Sequence, residues 1–316
     1  MKRYHVEIAG FVGICIVFLL IYRTGFDVVF RAVAEAVVYM PIILACEFLF
    51  WVFGVLSQRS LYGEDGKKIP WRVVIRAGCS AYAFMGLLPM GRLVAESSRA
   101  VIFAPYVGRS RAASVAVQVQ IVALFVTSAV GTLCALAFAW VLGAGIVTLL
   151  AFLNALLVLT VGVLALLAAK HFRLGKRLAR FLPRIQVFGE QFDAYLLNCR
   201  ILMPKALMYE GFCRTSQVVQ NGFLVLAVGG SLGILPAFCS EGLHLIGATL
   251  GDFVPGQLGV TELVFKEASA ALALNTEQAL SIALLAHASQ LFWILVALGA
   301  LHSPVLRATH SQNLST

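Results

Sequence analysis

Charged side chains are scarce in this sequence, and their scarcity excludes an ordinary soluble domain. Asp, Glu, Lys and Arg make up 12% of the 316 residues, and hydrophobic residues make up 60%. In soluble domains about a quarter of the residues are charged. Between Arg111 and Lys170 none of these four residue types occurs. Because one membrane span needs about 20 apolar residues, this stretch predicts two spans, with the break at 142–145.

Motifs that carry catalysis are also missing. The sequence contains no H-E-x-x-H zinc motif, no G-x-S-x-G elbow, no P-loop and no paired acidic clusters. Gly251-Asp252 has no second aspartate motif, which an intramembrane aspartyl protease would require. The seven cysteines are scattered, without a C-x-x-C pair. We therefore expect no enzymatic activity, no cofactor and no metal. Without a P-loop, the chain is not expected to hydrolyse ATP.

The apolar runs predict an all-α, polytopic integral membrane protein with about six full spans. The first run follows Met1-Lys2-Arg3 and resembles a signal peptide, but no small-residue cleavage site follows it. A retained first span is therefore the favoured interpretation. The predicted spans cover residues 8–26, 32–56, 113–142, 145–169, 205–228 and 278–301.

Two further apolar segments, 71–108 and 235–274, are interrupted by proline, glycine and charged residues. Such breaks leave backbone polar groups unpaired, which a membrane tolerates only inside protein or beside a wet cavity. Each segment is therefore predicted to be a re-entrant pair of half-helices with the Pro/Gly cluster at its tip. Two full spans in place of each hairpin would give the same topology, so both interpretations are kept.

The distribution of Lys and Arg predicts the orientation. If the N-terminus is cytoplasmic, 20 of the 24 Lys and Arg residues fall on the cytoplasmic side, as the positive-inside rule requires. Both termini are then cytoplasmic. The formal net charge of +9 is explained by this bias, so we expect no nucleic-acid partner. The basic segment 170–200 predicts an amphipathic helix on anionic lipid headgroups, with an ordinary cytoplasmic loop as the alternative.

The two interrupted segments resemble each other. Residues 89–96 read PMGRLVAE and residues 255–262 read PGQLGVTE, with proline, valine and glutamate at equal offsets. Broken segments at matching positions of inverted halves are a sequence indicator of a transporter site. Residues 1–316 are thus interpreted as one membrane domain with a first repeat at 32–142 and a second, inverted repeat at 205–301.

Ionisable residues inside the apolar segments are candidate functional residues. Glu96 and Arg99 are three residues apart, and Glu262 and Lys266 are four apart, so each pair shares a helix face. Headgroup-level charges are the alternative explanation. A polar stripe on the fifth span either lines a substrate path or holds helices together. The residues assigned to coupling or lining are Glu210, Arg214, Gln217 and His287.

At the two hairpins the sequence resembles a flippase-like family, named for the transmembrane region of lysylphosphatidylglycerol synthetase, over about residues 10–302. The family's half-signatures match Pro89, Gly91, Arg92, Glu96 and Arg99, and Pro255, Gly256, Gly259 and Glu262. With Asp252 beside the second tip, these form the predicted substrate-binding set. The family favours Gly where Ala95 stands, Glu-Arg and Asp where Gln118 and Gln120 stand, and Arg where His287 stands. Because of these departures, we do not assign the family's usual lipid headgroup to this chain.

The resemblance implies a lipid flippase of a bacterial inner membrane, which moves an anionic or glycosyl/isoprenoid-type lipid. An aminoacyl-transferase domain is missing from the sequence, so lysylphosphatidylglycerol synthesis is not expected. The alternatives are a secondary transporter of a small polar solute and a non-catalytic membrane partner of a lipid glycosyltransferase. The expected partners are the lipid substrate and anionic lipid headgroups. A lipid-modifying enzyme and a homodimer stay open as further partners.

Overall fold

In the computed structural model, the described residues are 36–181, 183–198 and 202–303, with the single positions 27 and 34. They form helices and no strand, which confirms the all-α class. The predicted first span and both chain termini lie outside these residues. The helices are α1 Met40–Leu61, α2 Glu64–Lys68, α3 Trp71–Leu87, α4 Gly91–Val107, α5 Arg109–Leu142, α6 Ile146–His171, α7 Leu174–Phe181, α8 Gln186–Asn198, α9 Pro204–Ala227, α10 Ile234–Leu250, α11 Val260–Glu267 and α12 Thr276–His302.

Four described helices are long and apolar enough to cross a membrane: α1, α5, α6 and α12. They correspond to four of the predicted spans. Helix α1 begins at Met40, with Pro41 in its first turn, where a missing backbone N–H leaves no helical hydrogen bond unmade. Helix α9 corresponds to the predicted span 205–228 and carries the polar stripe.

Local sequence accounts for the ends of the spans. Between α5 and α6, Gly143 takes a left-handed φ of 70° and its carbonyl accepts a hydrogen bond from Thr148 Oγ1 at 2.8 Å. Helix α12 begins with a capping box, in which Asn275 Oδ1 accepts from the Gln278 N–H and Gln278 Oε1 accepts from the Asn275 N–H. Both signals are readable from the sequence, and both boundaries lie within two residues of the prediction.

Helices α1 and α9 pack side by side in opposite directions. Ser57 Oγ donates to the Ala206 carbonyl at 3.1 Å near one end, and Gln220 Nε2 lies 3.4 Å from the Ile43 carbonyl near the other. In between, Cys213 Sγ donates to the Phe50 carbonyl at 3.3 Å. Numbers fall along α1 as they rise along α9, so the two helices are antiparallel.

Each interrupted segment forms two helices joined by a short turn. The first comprises α3 and α4, with the turn at 88–90, and the second comprises α10 and α11, with the turn at 251–259. Short 3-10 helices lie in the second turn at Pro255–Gln257 and after α11 at Ser269–Leu272. Helix α3 packs on α12, and α10 packs on α5. Glycine allows both approaches, because a Cβ on Gly86 would lie 2.5 Å from Ile294 Cδ1 and one on Gly242 would lie 2.6 Å from Phe138 Cε2.

The basic segment folds as α7, a 3-10 turn at Pro183–Ile185 and α8. The Asp193 carboxylate on α8 accepts hydrogen bonds from the Gly175 and Lys176 N–H groups, both at 2.8 Å. This contact caps the first turn of α7, where backbone donors have no helical partner. Its basic side chains face solvent or lipid rather than the core; the exposed ones are Arg173, Lys176, Arg177, Arg180 and Arg184.

A charged cluster ties the loop after α1 to the start of α5. Asp65 on α2 pairs with Arg111 and with Lys68, and Arg111 Nη2 donates to the Tyr62 carbonyl at 2.7 Å. The hydrogen bond from Lys68, and then the charge of Arg111, hold the pKa of the Asp65 carboxyl below its ordinary value. A carboxyl with a depressed pKa stabilises the fold above its unfolded pKa, and this contribution disappears as the pH falls through the folded pKa.

Asp65→Asn is therefore expected to lower the thermal midpoint of the detergent-solubilised protein at about pH 7, with less effect at about pH 3. Thermal unfolding at both pH values measures this. Glu64→Gln is the matched control, because Glu64 is almost fully exposed and pairs only with the neighbouring Lys67. A midpoint shift of equal size at both pH values, or an equal shift from the control, would contradict the expectation.

Candidate functional site

The tips of the two hairpins touch each other. The Met90 N–H in the first tip donates to the Asp252 carbonyl in the second at 2.8 Å. The Gly86 carbonyl lies so near Gly256 that a Cβ there would sit 3.1 Å from its oxygen. Met90 and Gly256 directly follow Pro89 and Pro255, and both take left-handed φ angles, 51° and 61°. The two tips therefore meet, and each has a left-handed residue directly after its proline.

A cavity of about 600 Å³ beside the first tip collects five of the predicted residues and is called the ion-pair cavity. Glu96 Oε1 accepts from Arg99 Nη1 at 2.6 Å, so the expected pair is formed. The other Glu96 oxygen accepts from Gln58 Nε2 at 3.1 Å. The Arg99 cation therefore neutralises this buried carboxylate, and both of its oxygens have hydrogen-bond partners. The charged residues that line the ion-pair cavity are Arg92, Glu96, Arg99, Glu210 and Arg214.

The polar stripe of α9 faces the interior. Arg214 Nε lies 3.7 Å from Glu210 Oε1, and Arg214 Nη1 donates to Gln217 Oε1 at 2.7 Å. All three side chains are buried. The structure therefore brings these residues to the same region as Glu96 and Arg99, although more than a hundred positions separate them in the chain.

Arg92 differs from the other arginines of this region. Among the described residues, its guanidinium group forms no hydrogen bond and no ion pair, whereas Arg99 and Arg214 each face a glutamate. The positive charge of Arg214 repels the Arg92 guanidinium, and the negative charges of Glu210 and Asp252 attract it. Arg92 lines three cavities at once. It is thus a cation with free donors at the junction of these cavities.

A second cavity, of about 730 Å³, lies between the second tip and the helices α1, α9, α10 and α12. We call it the amide chamber, because side-chain amides dominate its polar wall. Glu47 contributes a carboxylate, and two histidines lie among the amides. The polar lining residues are Glu47, Arg92, Gln217, Gln220, Asn221, His244, Gln257, His287 and Gln290.

The second hairpin holds its glutamate in a different way from the first. Glu262 Oε2 accepts from the Gly259 N–H at 2.7 Å and so caps α11. Glu262 Oε1 lies 3.4 Å from His287 Nε2 on α12, at a distance but not an angle suited to a hydrogen bond. Lys266 is exposed and forms no ion pair within the described chain. Glu262 and Lys266 therefore form no ion pair within the described chain, because the Glu262 carboxylate caps α11 and faces His287 instead.

A third cavity, of about 1260 Å³, runs from the hairpin tips outward between α5, α6 and α10, and is called the lateral cavity. Arg92, Asp252 and Gln257 lie at the tips, and the remaining wall is mostly aliphatic. Leu157 and Val161 of α6 line it and are 53% and 45% exposed, so the cavity reaches the outer face of the bundle. Its apolar residues include Leu93, Ala123, Leu124, Leu157, Val158, Val161, Leu245 and Ala248.

Comparison with protein families gives one match over nearly the whole chain. The model of the lysylphosphatidylglycerol synthase TM region matches residues 6–299. The chain belongs to this family. The comparisons with curated proteins and with solved structures gave no significant match. The family and the four apolar helices together establish an integral membrane protein, and the family points to a lipid-related function.

In this member of the lysylphosphatidylglycerol synthase TM region family, the buried carboxylates of Glu47 and Glu241, in the described apolar helices, lie outside the predicted site set. Glu47 on α1 accepts from Tyr82 on α3 and, at 2.7 Å, from Gln220 Nε2 on α9. Glu241 on α10 accepts from Asn221 Nδ2 at 2.7 Å, and its other oxygen has no partner among the described residues. The sequence marks both residues as carboxylates inside apolar segments, but only the fold reveals their hydrogen-bond partners.

The family positions at which this sequence departs from the pattern serve as packing and wall residues. Ala95 is buried and lines the ion-pair cavity. Gln120 Nε2 donates to the Arg92 carbonyl at 3.2 Å and so supports the first turn of α4. Gln118 is buried and its Oε1 has no hydrogen-bond partner within the described chain. His287 contacts Glu262, as described above.

Proposed function

We propose that this protein moves an anionic lipid across the membrane. The observation that carries the proposal is the lateral cavity, which joins an aliphatic wall open to the outer face of the bundle to the unpaired Arg92. A lipid requires these two environments together, because its chains need apolar surface and its anionic headgroup needs a charged donor. A carrier of a small polar solute has no need of a side opening.

The position of Arg92 supports an anionic headgroup. It follows Gly91 at the start of α4, where the unpaired N–H groups of a helix add positive potential. Neighbouring cations at Arg99 and Arg214 are held by glutamates, which leaves Arg92 as the open donor of the group. Burying an unpaired cation is costly in a membrane, so a bound anion lowers the free energy of the site.

The inverted repeat is part of the proposal and has three supports. Helices α3 and α10 are both 17 residues long. The α3–α12 packing mirrors the α10–α5 packing, and each contact includes a glycine, Gly86 near the end of α3 and Gly242 in the middle of α10. The antiparallel pair of α1 and α9 is the arrangement that a twofold axis in the membrane plane produces.

We propose that both hairpins are re-entrant, and the lengths of their helices support this. At 1.5 Å per residue a 17-residue helix is about 25 Å long, which is less than the roughly 30 Å of a bilayer core. The tips contact each other through Met90 and Asp252, as two half-membrane hairpins from opposite sides would. The headgroup would then bind at the tip contact, and rearrangement of the tips would give access to either side.

We further propose a bacterial inner-membrane location with cytoplasmic termini, supported by the Lys and Arg distribution. The exposed arginines of α7 suit the anionic cytoplasmic leaflet, and the exposed Phe181 beside them offers an aromatic anchor at the interface. A homodimer or a lipid-modifying enzyme is compatible with this placement.

The lateral cavity gives a direct test in proteoliposomes. Val161→Trp should fill the opening between α6 and the tips and slow translocation of a fluorescent anionic lipid at least fivefold. Val163→Trp is the matched control, because Val163 is exposed on the same helix but does not line the cavity. Equal rates for both variants and the wild type would contradict the lateral path, and equal movement of zwitterionic and anionic lipids would contradict the headgroup assignment.

A further inference from the structure

The amide chamber contains many hydrogen-bonding groups without a partner. Gln257 and Gln290 form no side-chain hydrogen bond within the described chain, and Gln217 uses only its oxygen, toward Arg214. His287 Nε2 has no hydrogen-bond partner there either. These groups come from α9, α12 and the second tip, so they surround the cavity. A chamber left open in this way suits a ligand with several donors and acceptors of its own.

The same chamber contains few acidic groups. Among its described lining residues, Glu47 is the only acid, and Tyr82 and Gln220 already donate to its two oxygens. Glu262, near its edge, accepts from the Gly259 N–H and faces His287. One acid stands against five side-chain amides in this wall, from Gln217, Gln220, Asn221, Gln257 and Gln290. Because most of its binding groups are neutral donors and acceptors, the chamber favours a neutral polar ligand.

Arg92 and Gln257 connect this chamber to the lateral cavity, since both residues line both. An anionic group at Arg92 would have the amide chamber on one side and the aliphatic wall on the other. A phosphate linked to a polyhydroxylated group on one side and to a hydrocarbon chain on the other matches this order of environments.

We infer that the amide chamber binds a sugar-like polyhydroxyl group joined to the phosphate held by Arg92. Hydroxyl groups both donate and accept, as the amides of Gln257 and Gln290 do, and they carry no charge that would need a counter-ion. This assignment rests on the proposed function for its lipid portion, because Arg92 serves both. The same chemistry occurs in a soluble sugar phosphate, so the test distinguishes the two sources.

Binding and transport are measured separately. In detergent, the affinity of the purified protein for hexose 1-phosphate is compared with that for inorganic phosphate. In proteoliposomes, the rate for a glycosyl phospholipid is compared with that for the same lipid without its sugar. The wild type should favour the sugar-bearing probe at least tenfold in binding and should move the glycosyl lipid faster.

Gln290→Met should lower these preference ratios at least fivefold, because it keeps the length of the side chain and removes its hydrogen bonds. Gln257→Met is a second variant with the same expectation. Gln118→Met is the matched control, since Gln118 is a buried amide that lines none of the three cavities. It should leave both ratios at the wild-type value.

Each outcome decides between the two proposals. Preferential binding of hexose 1-phosphate without any lipid movement would support the chamber assignment, assign it to a soluble sugar phosphate and overturn lipid translocation. Lipid movement that ignores the sugar, with no binding preference for hexose 1-phosphate, would overturn the chamber assignment and leave translocation standing. Absence of both binding and movement would overturn both.

Discussion

Arg92→Gln is expected to reduce translocation of an anionic lipid by about ten- to a hundredfold, since a hydrogen bond to a charged group contributes roughly 1.5–3 kcal/mol. The substitution keeps a polar side chain, although a shorter one, and removes the charge that faces all three cavities. Initial rates in proteoliposomes, at equal protein content, measure the effect.

Folding should survive this change, which separates a binding role from a structural one. Arg92 has no ion-pair partner within the described chain, and the strongest charge acting on it is the repulsive Arg214. The thermal midpoint should therefore stay level or rise. Arg76→Gln is the control for loss of one positive charge, because Arg76 lines none of the described cavities. Arg92→Lys should recover part of the rate, since lysine keeps the charge but not the planar fork of donors.

Two results would contradict the assignment of Arg92. Wild-type rates in Arg92→Gln would remove it from the headgroup site. An equal loss of rate for anionic and zwitterionic lipids, together with a lower thermal midpoint, would show that Arg92 holds the fold rather than the lipid.

Gly91→Ala is expected to destabilise the protein by about 1–3 kcal/mol, the range for overpacked cores, and to abolish most transport. A Cβ at this position would lie 2.2 Å from the Met85 carbonyl oxygen and 2.8 Å from its carbon. Because both atoms belong to the backbone of α3, no side-chain rotation relieves the clash. The first tip would have to open, and the Met90–Asp252 hydrogen bond would be lost with it.

Thermal unfolding in detergent, with transport measured on the same preparations, tests this expectation. Gly299→Ala in α12 is the matched control, since a Cβ there would meet nothing within 4 Å. Alanine has the higher helix propensity, by about 1 kcal/mol, so the control should be neutral or more stable. A Gly91→Ala protein as stable as the control would mean that the hairpin tolerates a wider turn than the structure has.

Much of the architecture was predictable from the sequence because its determinants are local. Apolar runs of sufficient length predict membrane helices wherever they lie, and Gly143 marks the break between α5 and α6. The proline and glycine positions predicted both hairpin turns correctly, because each of these residues determines the conformation of its own backbone. The family resemblance rests on the same local motifs and is confirmed over residues 6–299.

The partners of the buried polar groups were not predictable in this way. Sequence spacing paired Glu262 with Lys266, but the fold places it against His287. The sequence likewise gave no indication that Glu47 contacts Tyr82 and Gln220, or that Arg92 has no partner within the described chain. Which groups meet depends on how α1, α9, α10 and α12 pack. In a low-dielectric interior each polar group needs a nearby partner, and only packing decides whether the protein supplies it or leaves it open for a ligand.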